Sequence, residues 1–327
     1  MTALRIGVDA ANFPSDRRGM GRIGRQIVAE ARKARDLQLT LLADKRADVR
    51  RLRAEFPDLR VQPSRTASQR NRFDVTWYPF NGIRFASAAP SVVIVHDVFA
   101  LTRPHPDRVA RWREQGPLLQ TGRRATRIIT GSSWSRSEIM RALGVPLERV
   151  EIVPPSPDRF FFPAAGDVLP PPLAGRKFVL IVGPRERRKN ARLALEACAR
   201  ALRGPNELLV IVGSLDERDR TFARALQVRC SEVAASDALL RALYRHATAV
   251  LVPSTGEGFG LVAIEAMACG APVIASDAAA LPEATGGAAM LISPRDVTMT
   301  QWPSWRLISW MRPRPGTRSP GSTSTTP

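Results

Sequence analysis

Four short stretches in the second half of the chain, FVLIV (178–182), LLVIV (208–212), AVLVP (249–253) and PVIAS (272–276), are almost wholly apolar and rich in β-branched residues. A strand with one wet face alternates apolar and polar residues, whereas a strand without polar positions must be covered on both faces. That requirement leaves little beyond a parallel sheet sandwiched by helices. Parallel strands need long crossovers, and helical crossovers supply the cover.

The spacing fits. Helices are expected at about 190–203, in a segment ending near His246, and from about Gly260, with a last strand at AAMLI (288–292). The first half reads the same way, with strands at LRIGVD (4–9), LTLLAD (39–44), VVIVHD (92–97), RIITG (127–131) and RVEIV (149–153). A helix is expected over 21–35, where Ile23, Ile27, Val28, Ala31 and Ala34 share a face. Ser135-x-x-Glu138 fits a capping box for the helix after RIITG. Seven prolines between 154 and 173 stop both helix and sheet and mark a boundary. The expected class is therefore α/β, with two Rossmann-like doubly wound parallel-sheet domains facing a cleft. They span 1–163 and 177–296, joined by a Pro-rich linker at 164–176. Residues 297–327, three tryptophans among Pro, Arg, Ser and Thr, read as an irregular, disordered tail like an out-of-frame translation.

Composition narrows the function classes. The chain has 49 basic and 30 acidic residues, a net charge of +19, and only four of the basic residues are lysine. The charge forms no block of five or six and accompanies no nucleic-acid-binding motif, so a nucleic-acid partner is not expected. A basic surface of this kind suits phosphates or an anionic membrane. Cys198, Cys230 and Cys269 lack metal or redox spacing, and with three histidines no metal site is expected. No signal-like apolar run opens the sequence and none reaches the length of a membrane span, so the expected location is cytoplasmic, with peripheral contact at the inner membrane face as a further reading. The helix over 21–35, and the basic segment 112–124 split by Gly116 and Pro117, are either solvated faces or surfaces for an acceptor or membrane.

The chemistry concentrates in EGFGLVAIEAMACGAPVIASD (257–277), where Glu257 and Glu265 stand eight positions apart in an apolar stretch. Ser254 to Glu257 forms the turn at the C-terminal end of the AVLVP strand, where ligands of open parallel sheets bind. The helix that follows offers free N–H groups and partial positive charge, which suit a phosphate. Gly258 and Gly260 let a diphosphate approach the backbone. Glu265 lies more than a turn into an oily helix, where a carboxylate is costly unless partnered. The vicinal hydroxyls of a ribose would satisfy it; so would an arginine, with Glu257 then a solvated helix-start acid. Arg188 and Lys189 precede another helix, where cations oppose the dipole unless an anion joins them. His96, at a strand end before Asp97, is either a packed, hydrogen-bonded histidine or part of the site. GMGRIG (19–24) also matches G-x-G-x-x-G, with Asp44 twenty residues beyond Gly24, so an NAD-dependent oxidoreductase is a rival; about nine residues between Asp9 and Gly19 weigh against it.

With those residues in hand, the chain resembles the retaining GT-B glycosyltransferases carrying the E-x7-E motif, often called group 1. The likeness rests on Glu257 and Glu265, VLIVGPRERRKN (179–190), ALYRHATAVLVPS (242–254), GAPVIASD (270–277), VIVHDVFALTRP (93–104), ITGSSWSRSEIMRALGVP (129–146) and GMGRIGRQ (19–26). The RKN branch is similar to mannosyltransferases of surface polysaccharide assembly. The resemblance implies that Glu265 holds the nucleotide ribose and Glu257 acts electrostatically on the reacting centre. It implies that the backbone of Gly258, Phe259 and Gly260 cradles phosphate and sugar, and that Lys189 with Arg188 neutralises the diphosphate. Gly19 and Gly21 would let the first domain close over that diphosphate, and His96 would lie next to the sugar. The implied donor is a GDP- or UDP-sugar, the implied acceptor a saccharide or lipid-linked glycan, with no cofactor and no metal. Pro184 departs from the arginine common at its position, with Arg185 as a substitute one residue on, and the tail departs from the family's closing helices. A second reading is therefore a remnant that binds nucleotide sugar with impaired turnover.

Overall fold

A computed structural model describes residues 3–16, 19–164 and 166–295. The irregular tail expected at 297–327 lies outside the described residues. The described residues divide into two compact units, one within 1–156 together with 257–261, the other within 157–256 and 262–295.

The first unit runs β1 (Leu4–Asp9), α1 (Met20–Ala31), β2 (Leu37–Leu42), α2 (Arg46–Glu55), β3 (Arg60–Gln62), β4 (Val75–Tyr78), β5 (Ser91–Ile94), α3 (Phe99–Thr102), α4 (Arg108–Arg124), β6 (Arg127–Thr130), α5 (Ser133–Leu143) and β7 (Val150–Ile152). All its strands are parallel, in the order β3-β2-β1-β4-β5-β6-β7. The sequence reversal at β1/β4 is the doubly wound switch point.

The second unit continues with β8 (Lys177–Val182), α6 (Ala191–Ala201), β9 (Glu207–Val212), α7 (Glu217–Ala225), β10 (Cys230–Val233), α8 (Asp237–His246), β11 (Ala249–Val252), α9 (Leu261–Ala268), β12 (Val273–Ser276), α10 (Leu281–Thr285) and β13 (Met290–Ile292). Its strands are parallel, in the order β10-β9-β8-β11-β12-β13. The apolar strands are explained by alternation. Phe178, Leu180, Leu208, Val210 and Val250 pack into one cluster with Leu243 and Tyr244 of α8 and Ala263 of α9. Val179, Ile181, Leu209, Ile211 and Leu251 pack on the opposite face against Ala191, Ala194, Leu195 and Cys198 of α6.

Three local expectations change. His96 and Asp97 fall just beyond β5 rather than at its end. The α5 cap is Ser132, whose Oγ accepts from Ser135 N at 3.0 Å, so Ser135 lies inside the helix and not at a capping box. The helix expected to end near His246 is α8, which ends at that residue; α7 and the polar, half-covered edge strand β10, which lacks an apolar run, precede it. Basic segment 112–124 is helical throughout, with Pro117 inside α4 and its carbonyl accepting from Ile83 N and Thr121 Oγ1.

The proline-rich stretch expected as a linker packs on the second unit. Phe161 and Leu173 are buried in its core. The Asp167 carboxylate, nearly buried, accepts from Arg241 Nε at 2.9 Å and Arg245 Nη1 at 3.2 Å, while Arg241 covers the Phe160 ring at 4.2 Å. The prolines stiffen the stretch, and this clasp ties it to α8. Truncating a largely buried partner of a two-arginine clasp strands the cations. Asp167→Ala should lower stability by about 2 kcal/mol in urea unfolding, and Asp167→Asn by less; an unchanged midpoint would remove the clasp from the account.

Candidate functional site

In the second unit a pocket opens where β8 and β11 end, lined by Val182, Pro184, Lys189, Val252, Ser254 and Val262 among others. The carboxyl ends of parallel strands are where side-chain-poor turns leave room for a ligand. Lys189 and Ala191 line it, with Asn190 between them in the chain. Asn190 adopts a left-handed conformation (φ 54°), which asparagine tolerates, and its Nδ2 donates to the Pro294 carbonyl at 3.1 Å. That turn ends the short helical segment Arg187–Lys189 and starts α6.

Arg188 is engaged by its own surroundings. Its Nε donates to Glu186 Oε2 at 2.7 Å and its Nη1 to the Gly256 carbonyl at 3.0 Å, while its carbonyl accepts from Thr255 N at 2.7 Å. The side chain therefore fixes the loop that delivers Glu257. Glu257 and Glu265 are both only 7% exposed. Glu265, on α9 three residues after pocket-lining Val262, accepts from the hydroxyl of fully buried Tyr244 at 3.3 Å. Glu265 is one turn of α9 beyond Val262 and is turned to α8 rather than lining the pocket itself. The carboxylate of Glu265 adds to burial in pushing the Cys269 thiol up to about 12.

Within the first unit, Gly258 stands against the backbone after β5. A Cβ on it would lie 2.1 Å from the His96 carbonyl, so no larger residue fits. The Gly258 carbonyl accepts from Ser132 Oγ and from Ser135 Oγ, each at 2.7 Å. Phe259 is half-buried against Gly131, and Gly260 is buried at φ 107°, a conformation open to glycine alone. His96 is half-buried; its amide donates to Asn81 Oδ1 at 2.7 Å and its Nε2 meets the Pro79 carbonyl at 3.2 Å. Burial holds its pKa down to about 4, against a partial upward pull from the Pro79 hydrogen bond and the Asp16 charge. The ring is thus neutral near pH 7, and donation from Nε2 leaves Nδ1 an acceptor.

The glycine loop has its own packing logic. A Cβ on Gly21 would lie 1.8 Å from the Asp16 carbonyl, and one on Gly24 2.7 Å from the Phe13 ring. Gly21 N donates to Asp16 Oδ2 at 3.2 Å, a carboxylate occupying the start of α1 as a phosphate would. Gly19, at φ 51° and ψ −114°, has open space around it. Asp44, the acid of the dinucleotide reading, accepts instead from Ser64 N and Oγ.

The structure thus groups His96 with Gly258, Ser132 and Ser135, joins Arg188 to the loop before Glu257, and sets Lys189 in a pocket that α9, the helix of Glu265, touches through Val262. Direct covalent linkage of Gly256 to Glu257 connects the two groups. Tyr244 and Ser132 are not singled out by the sequence, and Ser135 only as a helix cap, although all three lie in the quoted family-like stretches. Among the described residues, no group of three His, Cys, Asp or Glu side chains is placed to hold a metal ion, and no helix is long and apolar enough to cross a membrane.

Comparison with known proteins agrees with this arrangement. The family profile described as "Glycosyl transferases group 1" matches residues 171–300. The chain is 31% identical over 248 residues to the O-antigen chain mannosyltransferase B of Escherichia coli, covering 68% of this chain and 64% of that protein. It is 30% identical over 228 residues to the MMP alpha-(1->4)-mannosyltransferase of Mycolicibacterium hassiacum, covering 64% of this chain and 54% of the relative. The chain therefore spans less than two thirds of either relative. Anabaena Alr3699/HepE, solved with UDP and glucose, shares the fold with a TM-score of 0.67 at 17% identity, over 94% of this chain and 89% of its own. The two-unit parallel-sheet architecture is that of the GT-B neighbours, and over residues 171–300 the chain is a glycosyl transferases group 1 domain.

Proposed function

We propose that the chain is a retaining, metal-independent glycosyltransferase. It moves a hexose of mannose or glucose type from a GDP- or UDP-sugar to a saccharide or lipid-linked acceptor in surface polysaccharide or glycoconjugate synthesis. The observation that carries this reading is the pair of buried carboxylates, Glu257 and Glu265, at the end of β11 and inside α9. Both acids stand beside segments otherwise rich in apolar residues, and a sugar nucleotide offers hydroxyls that either could accept from. The mannosyltransferase relatives and the UDP-bound structural neighbour support the substrate class.

In this reading Glu265, oriented by Tyr244, accepts from the ribose hydroxyls. Gly258, Phe259 and Gly260 present backbone to the phosphates and sugar, Lys189 meets the diphosphate from the pocket rim, and Arg188 holds the loop in place. Gly19, with open space around it, lets a phosphate approach the start of α1, where it would displace the Asp16 carboxylate from the N–H of Gly21, and His96 offers Nδ1 to a sugar hydroxyl. The bond from the anomeric carbon to the diphosphate breaks as the acceptor oxygen bonds to the same face. The acceptor proton passes to the departing phosphate oxygen, so no protein nucleophile is needed. Negative charge then grows on the diphosphate, where fixed cations and helix N-termini lower the barrier most. Glu257 stabilises positive charge at the anomeric carbon. A peripheral contact with anionic membrane is supported by α4, where Val109, Trp112 and Leu119 are exposed among Arg108, Arg111 and Arg113.

Two measurements test this. In a thermal-shift screen, a nucleoside diphosphate at about a hundred times its Kd should raise the midpoint by about 5 °C. Glu265→Ala should abolish that rise, while Glu257→Ala should weaken discrimination between sugars more than nucleotide affinity; equal rises for wild type and Glu265→Ala would contradict the ribose role. His96 supplies a pH test. Its folded value of about 4 lies below the unfolded value, so the unfolded chain takes up a proton first on acidification. The associated stability is complete above pH 6.5 and declines toward pH 4, by at most about 3 kcal/mol. His96→Gln should flatten this part of the pH–stability profile, and parallel profiles would place the imidazole in water.

A further inference from the structure

A second pocket lies in the first unit, away from the residues discussed above. It has a volume of about 540 Å³ and opens at the ends of β2 and β3, beside α2. Arg46, Arg50 and Arg53 line it, with Val49, Val61 and Pro63 as its apolar wall. The spacing explains the convergence, since residues i, i+3, i+4 and i+7 of a helix share one face.

Three guanidinium groups around one pocket repel each other unless acids answer them. Of the acids nearby, Asp44, Glu55 and Asp58 have other partners, and Asp48 of α2, two residues from both Arg46 and Arg50, lies off their helix face. Asp44, also in the pocket lining, accepts from Ser64 N and Oγ. Glu55 pairs with Arg25 of α1 at 3.4 Å, and Asp58 with Arg32 at 2.8 Å. Gln62 is turned to Arg72, accepting its Nη2 at 2.7 Å. Among the described residues, none forms an ion pair or side-chain hydrogen bond with Arg46, Arg50 or Arg53. Arg25 and Arg32 thus take the acids at the end of α2, while Arg46, Arg50 and Arg53, grouped on one concavity, have none.

We infer that this pocket binds a phosphate or diphosphate group, with the apolar wall of Val49, Val61 and Pro63 receiving the non-phosphate part of the ligand. Guanidinium forks match phosphate oxygens in pairs, and a wall of arginines on successive turns spans more than one phosphate. The Asp44 carboxylate, already hydrogen-bonded to Ser64, sets the inner limit of the anion's approach. The inference does not depend on the proposed transfer reaction.

The test is titration of the full chain with inorganic pyrophosphate at low salt, followed by calorimetry. Arg50→Gln and Arg53→Gln should each weaken binding about tenfold. Arg51→Gln removes the same charge from an exposed α2 position that does not line the pocket, and should stay within about twofold of wild type. Lys189→Ala, at the other pocket, should also leave this binding in place. Equal weakening by Arg50→Gln and Arg51→Gln would reduce the effect to diffuse charge and overturn the site. So would pyrophosphate binding that Lys189→Ala removes and Arg50→Gln spares, or no binding by wild type. Sedimentation with phosphatidylcholine vesicles containing phosphatidic acid separates the two sources of the group. Greater sedimentation of wild type than of Arg50→Gln assigns a lipid headgroup, and equal sedimentation, with the pyrophosphate difference intact, assigns a soluble phosphate.

Discussion

A buried carboxyl group inside an apolar helix is the constraint on which the rest of this structure turns. Glu265 sits in LVAIEAMA, where its neighbours Ala263, Ile264 and Ala266 are buried. Removing such a group from water is unfavourable by several kcal/mol unless hydrogen bonds replace the lost solvation. Tyr244 supplies one of them. Tyr244 in turn packs edge-on against Phe161, ring centroids 6.0 Å apart, and belongs to the helix that Arg241 and Arg245 tie to Asp167. A clasp on the proline-rich stretch, a helix position, a tyrosine hydroxyl and the acid therefore form one mechanical series. Its last member stands beside a pocket at the ends of β8 and β11.

The glycines of the two motifs have two physical explanations that coexist. Gly258 and Gly21 are required by close backbone carbonyls, those of His96 and Asp16. Close backbone approach is also what a diphosphate needs. Packing already fixes both positions as glycine, so their presence alone was never a signature of ligand. The stronger pointers are the two acids, each only 7% exposed and eight positions apart in the family-like stretch, while the N–H of Gly21 is already taken by the Asp16 carboxylate.

Much of the fold was legible because its signal is a short-range pattern. Phe178 and Leu180 face one helical layer, Val179 and Ile181 the other, and a strand covered on both sides writes that fact into five consecutive residues. The parts that were missed lack such a pattern. β10 is a four-residue edge strand with exposed Cys230 and Glu232, β3 is three residues long, and α4 carries a proline that local rules read as a break. Ser132 and Ser135 both fit a helix start, and only the 3.0 Å bond from Ser135 N decides for Ser132. In the candidate site, the two glutamates stood out as charges in oily surroundings. Tyr244 and the serines did not, because their partners lie 21 and more than 120 residues away in sequence. The roles given to Lys189 and His96 came from family resemblance, and the structure adds their surroundings.

The most direct test compares the affinity of this chain for a nucleoside diphosphate with its affinity for the 2′,3′-dideoxy analogue, in wild type and in Glu265→Ala. If Glu265 grips the ribose, the analogue binds wild type about tenfold or more weakly, and the variant does not distinguish the two ligands. Equal affinity of wild type for both would contradict the account, since the buried acid would then have some partner other than the nucleotide.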